Sequence, residues 1–356
     1  MMRTHPIAVL AGDGIGIEVT PAAQRVLDRA IASHNARLEW REYPWGTDYY
    51  RVHGRMMPVD AIDTLADADA VFLGAVGDPE VSDVETLWGM LIPIRREFDQ
   101  YINLRPVRSL PGVRSPLADR PDIDLVIVRE NVEGEYSAVG GRSYAGTPYE
   151  SAYQQALFSR RGISRAAEFA AQLAARRSGR LVSATKSNGI IHTMTLWDEV
   201  VRDVVAGHPG IELESVLIDA LAARVVQHPE RLDVVVASNL FGDILSDLAA
   251  AAVGSIGIAP SANLNPERRF PSMFEPVHGS APDIAGQGIA NPVGQIWAGA
   301  MMLEHLGYEA AAGDVMGAVE RVLAAGISTR DLGGSASTAE VGDAVLGELA
   351  KARVEA

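Results

Sequence analysis

The alternation of short β-branched runs with alanine-rich amphipathic stretches is the feature that most constrains the fold. Because strands that alternate with helices form βαβ units, it predicts an α/β protein with a mostly parallel sheet covered by helices. Ligands of such sheets bind beyond the carboxyl ends of the strands, so residues following each run are the first site candidates. Turn-forming residues at 140–151 also predict a β-hairpin. The predicted strands are residues 7–10, 70–77, 124–130, 181–186, 216–220 and 232–239.

The chain of 356 residues is long enough for two lobes. Residues 106–121 have the composition of a connector, and residues 254–271 that of a return crossing. We therefore expect one discontinuous lobe and one inserted central lobe. The predicted bounds are 1–105 plus 256–356 for the discontinuous lobe and 106–255 for the inserted one.

Charge and cysteine content exclude several classes of function. Acidic side chains outnumber basic ones by 46 to 31, for a net charge of −15. Nucleic acids and anionic membranes require clustered Lys and Arg, which this chain lacks, so we expect neither as a partner. The absence of cysteine excludes disulfides, thiolate zinc sites and cysteine nucleophiles, and it fits a reducing compartment. The first apolar run is too short for a signal peptide, and we expect a cytoplasmic protein.

The first glycine cluster, in AGDGIGIEV, lies between a predicted strand and a predicted helix. It contains Gly12, Gly14 and Gly16, but position 17 is Ile where the dinucleotide fingerprint needs Gly or Ala. A standard Rossmann fold is therefore not expected. A tight turn that binds nothing is an equal alternative for this motif taken alone.

A pair of aspartates suggests a metal site. Asp243 and Asp247 in SNLFGDILSDL are four residues apart, which places both carboxylates on one face of a helix. Hard divalent ions such as Mg²⁺ or Mn²⁺ prefer oxygen ligands of this kind. The alternative is that Asp243 caps the helix while Asp247 is solvated. Asp219, at another predicted strand end, favours the metal site.

Three arginines are candidates for holding an anion. Arg95, Arg105 and Arg129 each lie at or just after an apolar segment, and guanidinium groups bind carboxylates bidentately. Surface ion pairs are the alternative for any one of them. Tyr136 and Lys186 follow predicted strands and are candidate proton donors or acceptors, with a rim Tyr and a solvated Lys as the alternative.

The segment FEPVHGSAPDIAGQGIANP, residues 274–292, is a candidate nucleotide loop. Its exposed backbone amides suit phosphate groups. Asp283 suits a ribose diol and repels a 2′-phosphate, so it favours NAD over NADP.

Taken together, these motifs resemble the β-decarboxylating dehydrogenase family, which includes isocitrate and isopropylmalate dehydrogenases. The similarity rests on GDGIG, RREFDQYINLRP, RENVEGEYS, ATKSNGI, SNLFGDILSDL and EPVHGSAPDIAG and extends over residues 7–349. It implies the two-domain isocitrate/isopropylmalate dehydrogenase-like fold, with a large mixed, mostly parallel sheet distinct from Rossmann. It also implies an active cleft between the lobes and a homodimer with shared active sites.

The resemblance assigns a role to each matching position. Asp243 and Asp247 would bind Mg²⁺ or Mn²⁺ together with the partner subunit's Asp219. The partner subunit's Lys186 would help to remove the hydroxyl proton, and Tyr136 would protonate the enolate left after decarboxylation. A requirement for K⁺ stays open. The expected NAD-binding residues are Ile15, Asn188, Glu275, His278, Gly279, Ser280, Ala281, Asp283, Ile284 and Asn291.

The resemblance also implies that Arg95, Arg105 and Arg129 bind the carboxylates of a small dicarboxylate substrate. Substrate choice is expected to depend on LWGMLIPIRREFDQYINLRP, which contains the first two of these arginines. Isocitrate is disfavoured, because Gly89 and Leu91 stand where a Ser and an Asn are typical. Leu91 and Ile92 keep the apolar pair of isopropylmalate dehydrogenases, but Trp88 replaces their Glu and reduces the room for a branched substituent. This motif, with residues 45–58 and 257–279, is similar to the subgroup that acts on tartrate and D-malate.

We therefore expect an NAD-dependent enzyme that oxidatively decarboxylates D-malate and oxidises tartrate. 3-Isopropylmalate is the alternative substrate. A non-catalytic regulatory or metabolite-binding relative is the alternative of a different class.

Overall fold

The computed structural model describes residues 2–118 and 122–351, in which strands and helices alternate. The strands are β1 Arg3–Gly12, β2 Ala36–Glu42, β3 Ala70–Ala75, β4 Ile102–Arg108, β5 Asp124–Glu130, β6 Gly140–Ser143, β7 Ser151–Gln154, β8 Arg180–Thr185, β9 Glu212–Leu217, β10 Val234–Ala237, β11 Pro260–Leu264 and β12 Ser272–Pro276. The α-helices are α1 Gly16–Ile31, α2 Thr47–His53, α3 Ala61–Ala66, α4 Asp83–Thr86, α5 Ile92–Glu97, α6 Arg160–Ala175, α7 Thr193–Val205, α8 Ile218–Gln227, α9 Asn239–Val253, α10 Val293–His305, α11 Glu309–Ala324 and α12 Thr338–Lys351.

The chain divides into two compact units. The predicted lobe borders, after residues 105 and 255, stay a prediction. In the structure, unit 2 begins at Tyr101 after Gln100, and the chain returns to unit 1 at Ala250 after Ala249. Unit 1 comprises Met1–Gln100, Arg108–Arg120 and Ala250–Ala356, and unit 2 comprises Tyr101–Val107 and Pro121–Ala249.

The strands of unit 1 follow the order β2, β1, β3, β12, β11. All pairs are parallel except β11 with β12, which is antiparallel. Leu10 of β1 pairs in register with Leu73 of β3, and both side chains are almost fully buried. Helices α1, α10, α11 and α12 pack against one another, with apolar faces such as Val19, Val26 and Leu27 of α1 in the core.

The main strands of unit 2 follow the order β4, β5, β10, β8, β9. The pairs β5 with β10, β10 with β8 and β8 with β9 are parallel. Helix α6 packs on β5 and β10 with its alanine face, and it also contacts α7, whose Trp197 is fully buried. Strands β6 and β7 pair antiparallel as a separate two-stranded sheet.

The expectation of a mixed, mostly parallel α/β sheet covered by helices is confirmed. All six predicted strands overlap observed ones, but several boundaries were wrong. Strand β9 ends at Leu217, so residues 218–220 begin α8 instead of ending a strand. Strand β10 covers only Val234–Ala237 of the predicted 232–239, and Asn239 already begins α9. The predicted hairpin exists, but in its own small sheet. Within residues 2–118 and 122–351, no helix is long and apolar enough to cross a membrane.

Candidate functional site

The two aspartates expected to bind a metal both lie in α9. Helix α9 begins at Asn239 directly beyond β10, so Asp243 lies in its second turn and does not cap it. The Nη1 atom of Arg105 lies 3.2 Å from Asp243 Oδ1 and 3.3 Å from Asp247 Oδ1. Burial raises the pKa of Asp247; the Arg105 charge opposes this shift and the Asp243 charge adds to it. A cation between the two carboxylates would relieve their repulsion.

Arg129, near the end of β5, donates hydrogen bonds to two residues of α9. Its Nη1 donates to Asp243 Oδ1 at 2.5 Å, while Nε and Nη2 donate to Asn239 Oδ1 at 3.0 and 2.6 Å. The Arg129 side chain is only 3% exposed. Gly242 permits this packing, because a Cβ there would lie 2.7 Å from both Cβ and Cγ of Arg129.

Tyr136 belongs to the same cluster. Its hydroxyl donates to Asp243 Oδ2 at 2.8 Å, and the Arg129 guanidinium lies 5.6 Å from the centre of its ring. The Tyr136 hydroxyl therefore contacts a carboxylate while its ring lies beside a guanidinium group. Unit 2 thus brings together five residues predicted for the site: Arg105, Arg129, Tyr136, Asp243 and Asp247.

Lys186 and Asp219 form a second cluster within unit 2. Lys186 follows β8, and Asp219 lies in the first turn of α8, not at a strand end as predicted. The Lys186 Nζ lies 2.8 Å from Asp219 Oδ1, and its hydrogen bond lowers the pKa of Asp219. The Asp219 side chain is 66% exposed. Asn188, two residues beyond Lys186, is also exposed.

The three aspartates do not meet within one chain. Among the residues that the structure describes, no three His, Cys, Asp or Glu side chains are placed to hold one metal ion. Asp243 and Asp247 offer hard oxygen ligands of the type that Mg²⁺ and Mn²⁺ prefer.

Glu130, beside Arg129, is a buried carboxyl group that the sequence did not single out. It is 1% exposed, and its Oε1 accepts the backbone N–H of Val132 at 3.1 Å. Burial raises the pKa of Glu130 to about 7, against the lowering effect of the backbone donors. This carboxyl group therefore changes protonation near neutral pH, next to a residue of the cluster.

In unit 1, the predicted site residues Arg95 and Glu275 are paired. Arg95, in α5, donates from Nη2 to Glu275 Oε1 at 2.9 Å, and Asn263 Nδ2 donates to the same oxygen at 2.7 Å. Both charged side chains are at most 10% exposed. Arg95 therefore lies in a different unit from Arg105 and Arg129.

Trp88 and Leu91 lie in the π-helical turn Leu87–Leu91, between α4 and α5. Both are half-buried, and the Arg96 guanidinium lies 5.2 Å from the centre of the Trp88 ring. The turn packs closely at Gly89, where a Cβ would lie 2.8 Å from Met56 Cγ. Such π turns often occur at functional sites because they redirect side chains.

The two glycine-rich segments meet in unit 1. The Ile15 N–H donates to the Ser280 carbonyl at 2.8 Å, and Ala281 and Ile284 pack against Ile15. Gly14 has φ +53°, and a Cβ there would lie 2.1 Å from the Ser280 oxygen. The first glycine cluster therefore supports the 278–291 loop; it is not a Rossmann phosphate turn.

Other predicted cofactor residues of this loop differ in exposure. His278 is buried, which lowers its pKa; its Nδ1 lies 3.0 Å from the carbonyl of Gly279, and its Nε2 has no hydrogen-bond partner among the described residues. Asp283 is exposed. Asn291 donates to Asp331 Oδ2 at 2.9 Å. The loop thus offers a buried imidazole and an exposed carboxylate on one short segment.

Several positioning residues were not predicted from the sequence. Asn239 and Asn263 hold Arg129 and Glu275, and Ser246 accepts a hydrogen bond from Arg105 Nη1 at 2.6 Å. Ser246 could have been found, because it lies three residues after Asp243 on the same helix. Asn263 belongs to β11, which the sequence pattern did not reveal.

The chain belongs to the isocitrate/isopropylmalate dehydrogenase family, whose model matches residues 6–345. The chain is 52% identical to the probable tartrate dehydrogenase/decarboxylase of Bacillus subtilis (strain 168), covering 98% of this chain and 99% of that protein. It is also 52% identical to the D-malate dehydrogenase [decarboxylating] of Escherichia coli (strain K12), covering 97% and 98%. The isocitrate dehydrogenase from Methylococcus capsulatus superposes with a TM-score of 0.89 at 33% identity, covering 97% of this chain and 99% of that one.

Dehydrogenases of this family generally use NAD or NADP with a divalent metal, act on small molecules and are typically dimeric. The predictions of family and enzyme class are therefore confirmed.

Proposed function

We propose that this protein is an NAD-dependent, divalent-metal-dependent dehydrogenase of small C4 2-hydroxy diacids. It oxidatively decarboxylates D-malate to pyruvate and CO₂ and oxidises tartrate. The similarity to relatives named for these two activities, at 52% identity over nearly the full chain, carries the proposal. The presence of Tyr136, Lys186, Asp219, Asp243 and Asp247 supports it, because a non-catalytic relative would not need to keep these groups.

Arg105 and Arg129 orient the substrate. Their guanidinium groups are buried and fixed by α9, so they can hold a carboxylate with little loss of side-chain entropy. Arg95, in unit 1, is the third proposed substrate ligand. Because Asp243, Asp247 and Glu275 pair with these arginines, a bound metal ion would supply the additional positive charge that attracts an anionic substrate to a chain of net charge −15.

Asp243 and Asp247, with the partner subunit's Asp219, would hold Mg²⁺ or Mn²⁺. When bound, such an ion lowers the pKa of a coordinated hydroxyl and stabilises the negative charge of an enolate. Lys186 of the partner subunit would help to remove the hydroxyl proton, and bound NAD would supply the acceptor for the C2 hydride. After CO₂ leaves, Tyr136 delivers a proton to the enolate carbon.

A substrate panel tests the reaction. The purified protein is assayed for NADH formation with D-malate, L-tartrate, meso-tartrate, 3-isopropylmalate and isocitrate, each with NAD or NADP and with Mg²⁺ or Mn²⁺. We expect the highest kcat/KM for D-malate or a tartrate with NAD, and no activity after chelation of the metal. Equal or better turnover of 3-isopropylmalate would reject the assignment, and no turnover of any diacid would favour the binding-protein alternative.

Trp88 and Asp283 are proposed to set the two specificities. Trp88→Ala should shift the substrate preference, measured as the ratio of the two kcat/KM values, from D-malate toward 3-isopropylmalate, because it opens room beside Leu91. Trp88→Phe should change this ratio much less. Asp283→Asn should narrow the preference for NAD, because an exposed carboxylate repels a 2′-phosphate. If Trp88→Ala leaves the substrate ratio unchanged, other residues set the substrate specificity. If Asp283→Asn leaves the ratio of kcat/KM for NAD and NADP unchanged, other residues set the cofactor specificity.

We further propose a homodimer in which each subunit completes the other's site. Large apolar side chains of unit 2 are exposed on and beside the β6–β7 pair, including Tyr144, Tyr149 and Tyr153 at 73%, 80% and 62%. Exposed aromatic surface of this kind is typical of subunit contacts. A cytoplasmic location and a K⁺ requirement stay predictions.

Complementation tests the shared site. Lys186→Ala and Asp243→Asn variants, carrying different tags, are each expected to be inactive. A heterodimer of the two contains one intact site, so a random mixture of co-expressed chains should recover about a quarter of the wild-type activity. No recovery in purified heterodimers would mean that Lys186 serves the site of its own chain.

A further inference from the structure

A cavity in unit 1 carries a concentration of positive charge that the proposed reaction does not use. It has a volume of about 340 Å³. Arg3, Arg268 and Arg269 contribute its cationic groups, and His305 also lines it. We call it the arginine cavity.

The arginine cavity lies at the amino ends of parallel strands. Arg3 is the first residue of β1, Asp69 directly precedes β3, and Pro271 directly precedes β12. These three strands are neighbours in the sheet. The glycine-rich turn of Gly12 and Gly14 follows the carboxyl end of β1, so the cavity lies at the opposite edge of the unit 1 strands.

The positive charges of the cavity are poorly neutralised. Within residues 2–118 and 122–351, no ion pair or side-chain hydrogen bond engages the guanidinium groups of Arg3 and Arg268, and Arg269 lies 4.0 Å from Glu267. Asp69 also lines the cavity, but its Oδ2 is engaged by His5 Nδ1 at 2.5 Å. In a chain of net charge −15, two unpaired arginines on one cavity indicate an anionic ligand.

The loop that presents two of these arginines is anchored by a buried side chain. Asn265 is fully buried, its Nδ2 donates to the carbonyl of Asp99 at 3.0 Å, and its Oδ1 accepts the N–H of Arg269 at 2.8 Å. Arg268 has φ +55°, a conformation that costs about 1 kcal/mol or more for a residue other than glycine. The two guanidinium stems therefore start from a fixed backbone.

We propose that the arginine cavity binds a small oxyanion, either a phosphate or a dicarboxylate. Guanidinium groups pair bidentately with both kinds of oxyanion. The half-exposed Phe270 and the buried Pro271 add an apolar wall, and the volume is that of a site for a small molecule. This ligand would not compete directly with a ligand of the glycine-rich segments, because those segments meet at the opposite edge of the unit 1 strands.

His305 offers a local reporter of this binding. Burial, and then the charge of Arg268, lower its pKa to about 4. The other titratable or charged groups that line the cavity are Arg3, Asp69 and Arg269. An oxyanion beside Arg268 would offset the positive charge and raise the pKa of His305.

The experiment follows the His305 ring signal by NMR in protein labelled only at histidine, with inorganic phosphate, succinate or chloride at equal ionic strength. At pH 5 about a tenth of a group with a pKa of about 4 is protonated, so an upward shift is visible without acid unfolding. The signal is identified by its loss in His305→Gln. We expect phosphate, succinate or both to move the signal toward the protonated position relative to chloride.

Two variants make the result specific to the cavity. In Arg3→Gln/Arg268→Gln the difference between oxyanion and chloride should vanish. Arg202→Gln removes an exposed positive charge of unit 2 and should leave the difference intact. A response to phosphate alone or to succinate alone identifies the ligand class. The proposal is overturned if His305 responds equally to all three anions, or if the double variant still responds as the wild type does.

Discussion

Asn239 gives the sharpest test of how the unit 2 cluster is held together. Asn239→Ala removes the oxygen that accepts Arg129 Nε and Nη2, at 3.0 and 2.6 Å, and the amide that donates to the Glu133 carbonyl at 3.0 Å. The two charge-assisted bonds share one acceptor, and we count them together as about 3 kcal/mol; the neutral bond adds about 1 kcal/mol. The expected loss in free energy of unfolding is therefore about 4 kcal/mol.

Urea unfolding measures this loss, with Trp197 as a reporter because it is the tryptophan within the bounds of unit 2 and is fully buried. Arg129 would also lose its orientation, so KM for the diacid should rise by more than kcat falls. Gln172→Ala is the matched control, because Gln172 makes an exposed side-chain hydrogen bond to Glu168 in α6. A loss below about 1 kcal/mol for Asn239→Ala would refute the reasoning, since it would mean that Arg129 finds other partners at no cost.

Two further changes test the packing and the titration beside Arg129. Gly242→Ala should cost about 1–3 kcal/mol and raise KM, because its Cβ would lie 2.7 Å from Arg129. Gly313→Ala is the control, because a Cβ at this position in α11 meets open space, and it should raise the free energy of unfolding by about 0.5–1 kcal/mol in the same assay. If both variants lower the free energy of unfolding, the loss in Gly242→Ala is not due to the contact with Arg129. Glu130 has a folded pKa of about 7 against 4.5 unfolded, so the folded state retains a proton that the unfolded state releases, and stability falls as pH rises through that window. Glu130→Gln should remove about 3 kcal/mol of that decrease between pH 4.5 and 8, and an unchanged pH dependence of urea unfolding would contradict it.

Much of the fold could be predicted because it depends on local periodicity. The β-branched runs at β1, β3, β5, β8 and β10 identify buried parallel strands, which are apolar on both faces. Strands β2, β4, β11 and β12 were missed, because they contain charged, proline or polar residues and lack a continuous apolar run. Their place in the sheet depends on neighbours that are distant in the chain.

What the sequence by itself determined about this protein is its family and the spacing of its chemical groups. The four-residue interval of Asp243 and Asp247 implies one helix face whatever surrounds it, since helix geometry is local. Only the tertiary structure decided which groups pair: Arg95 with Glu275, 180 residues apart, and Arg129 with Asn239, 110 apart. The arginine cavity likewise exists only because strand order places the start of β1 and the loop before β12 on either side of the start of β3. Contacts of this kind depend on sheet order and side-chain packing, which no local pattern encodes.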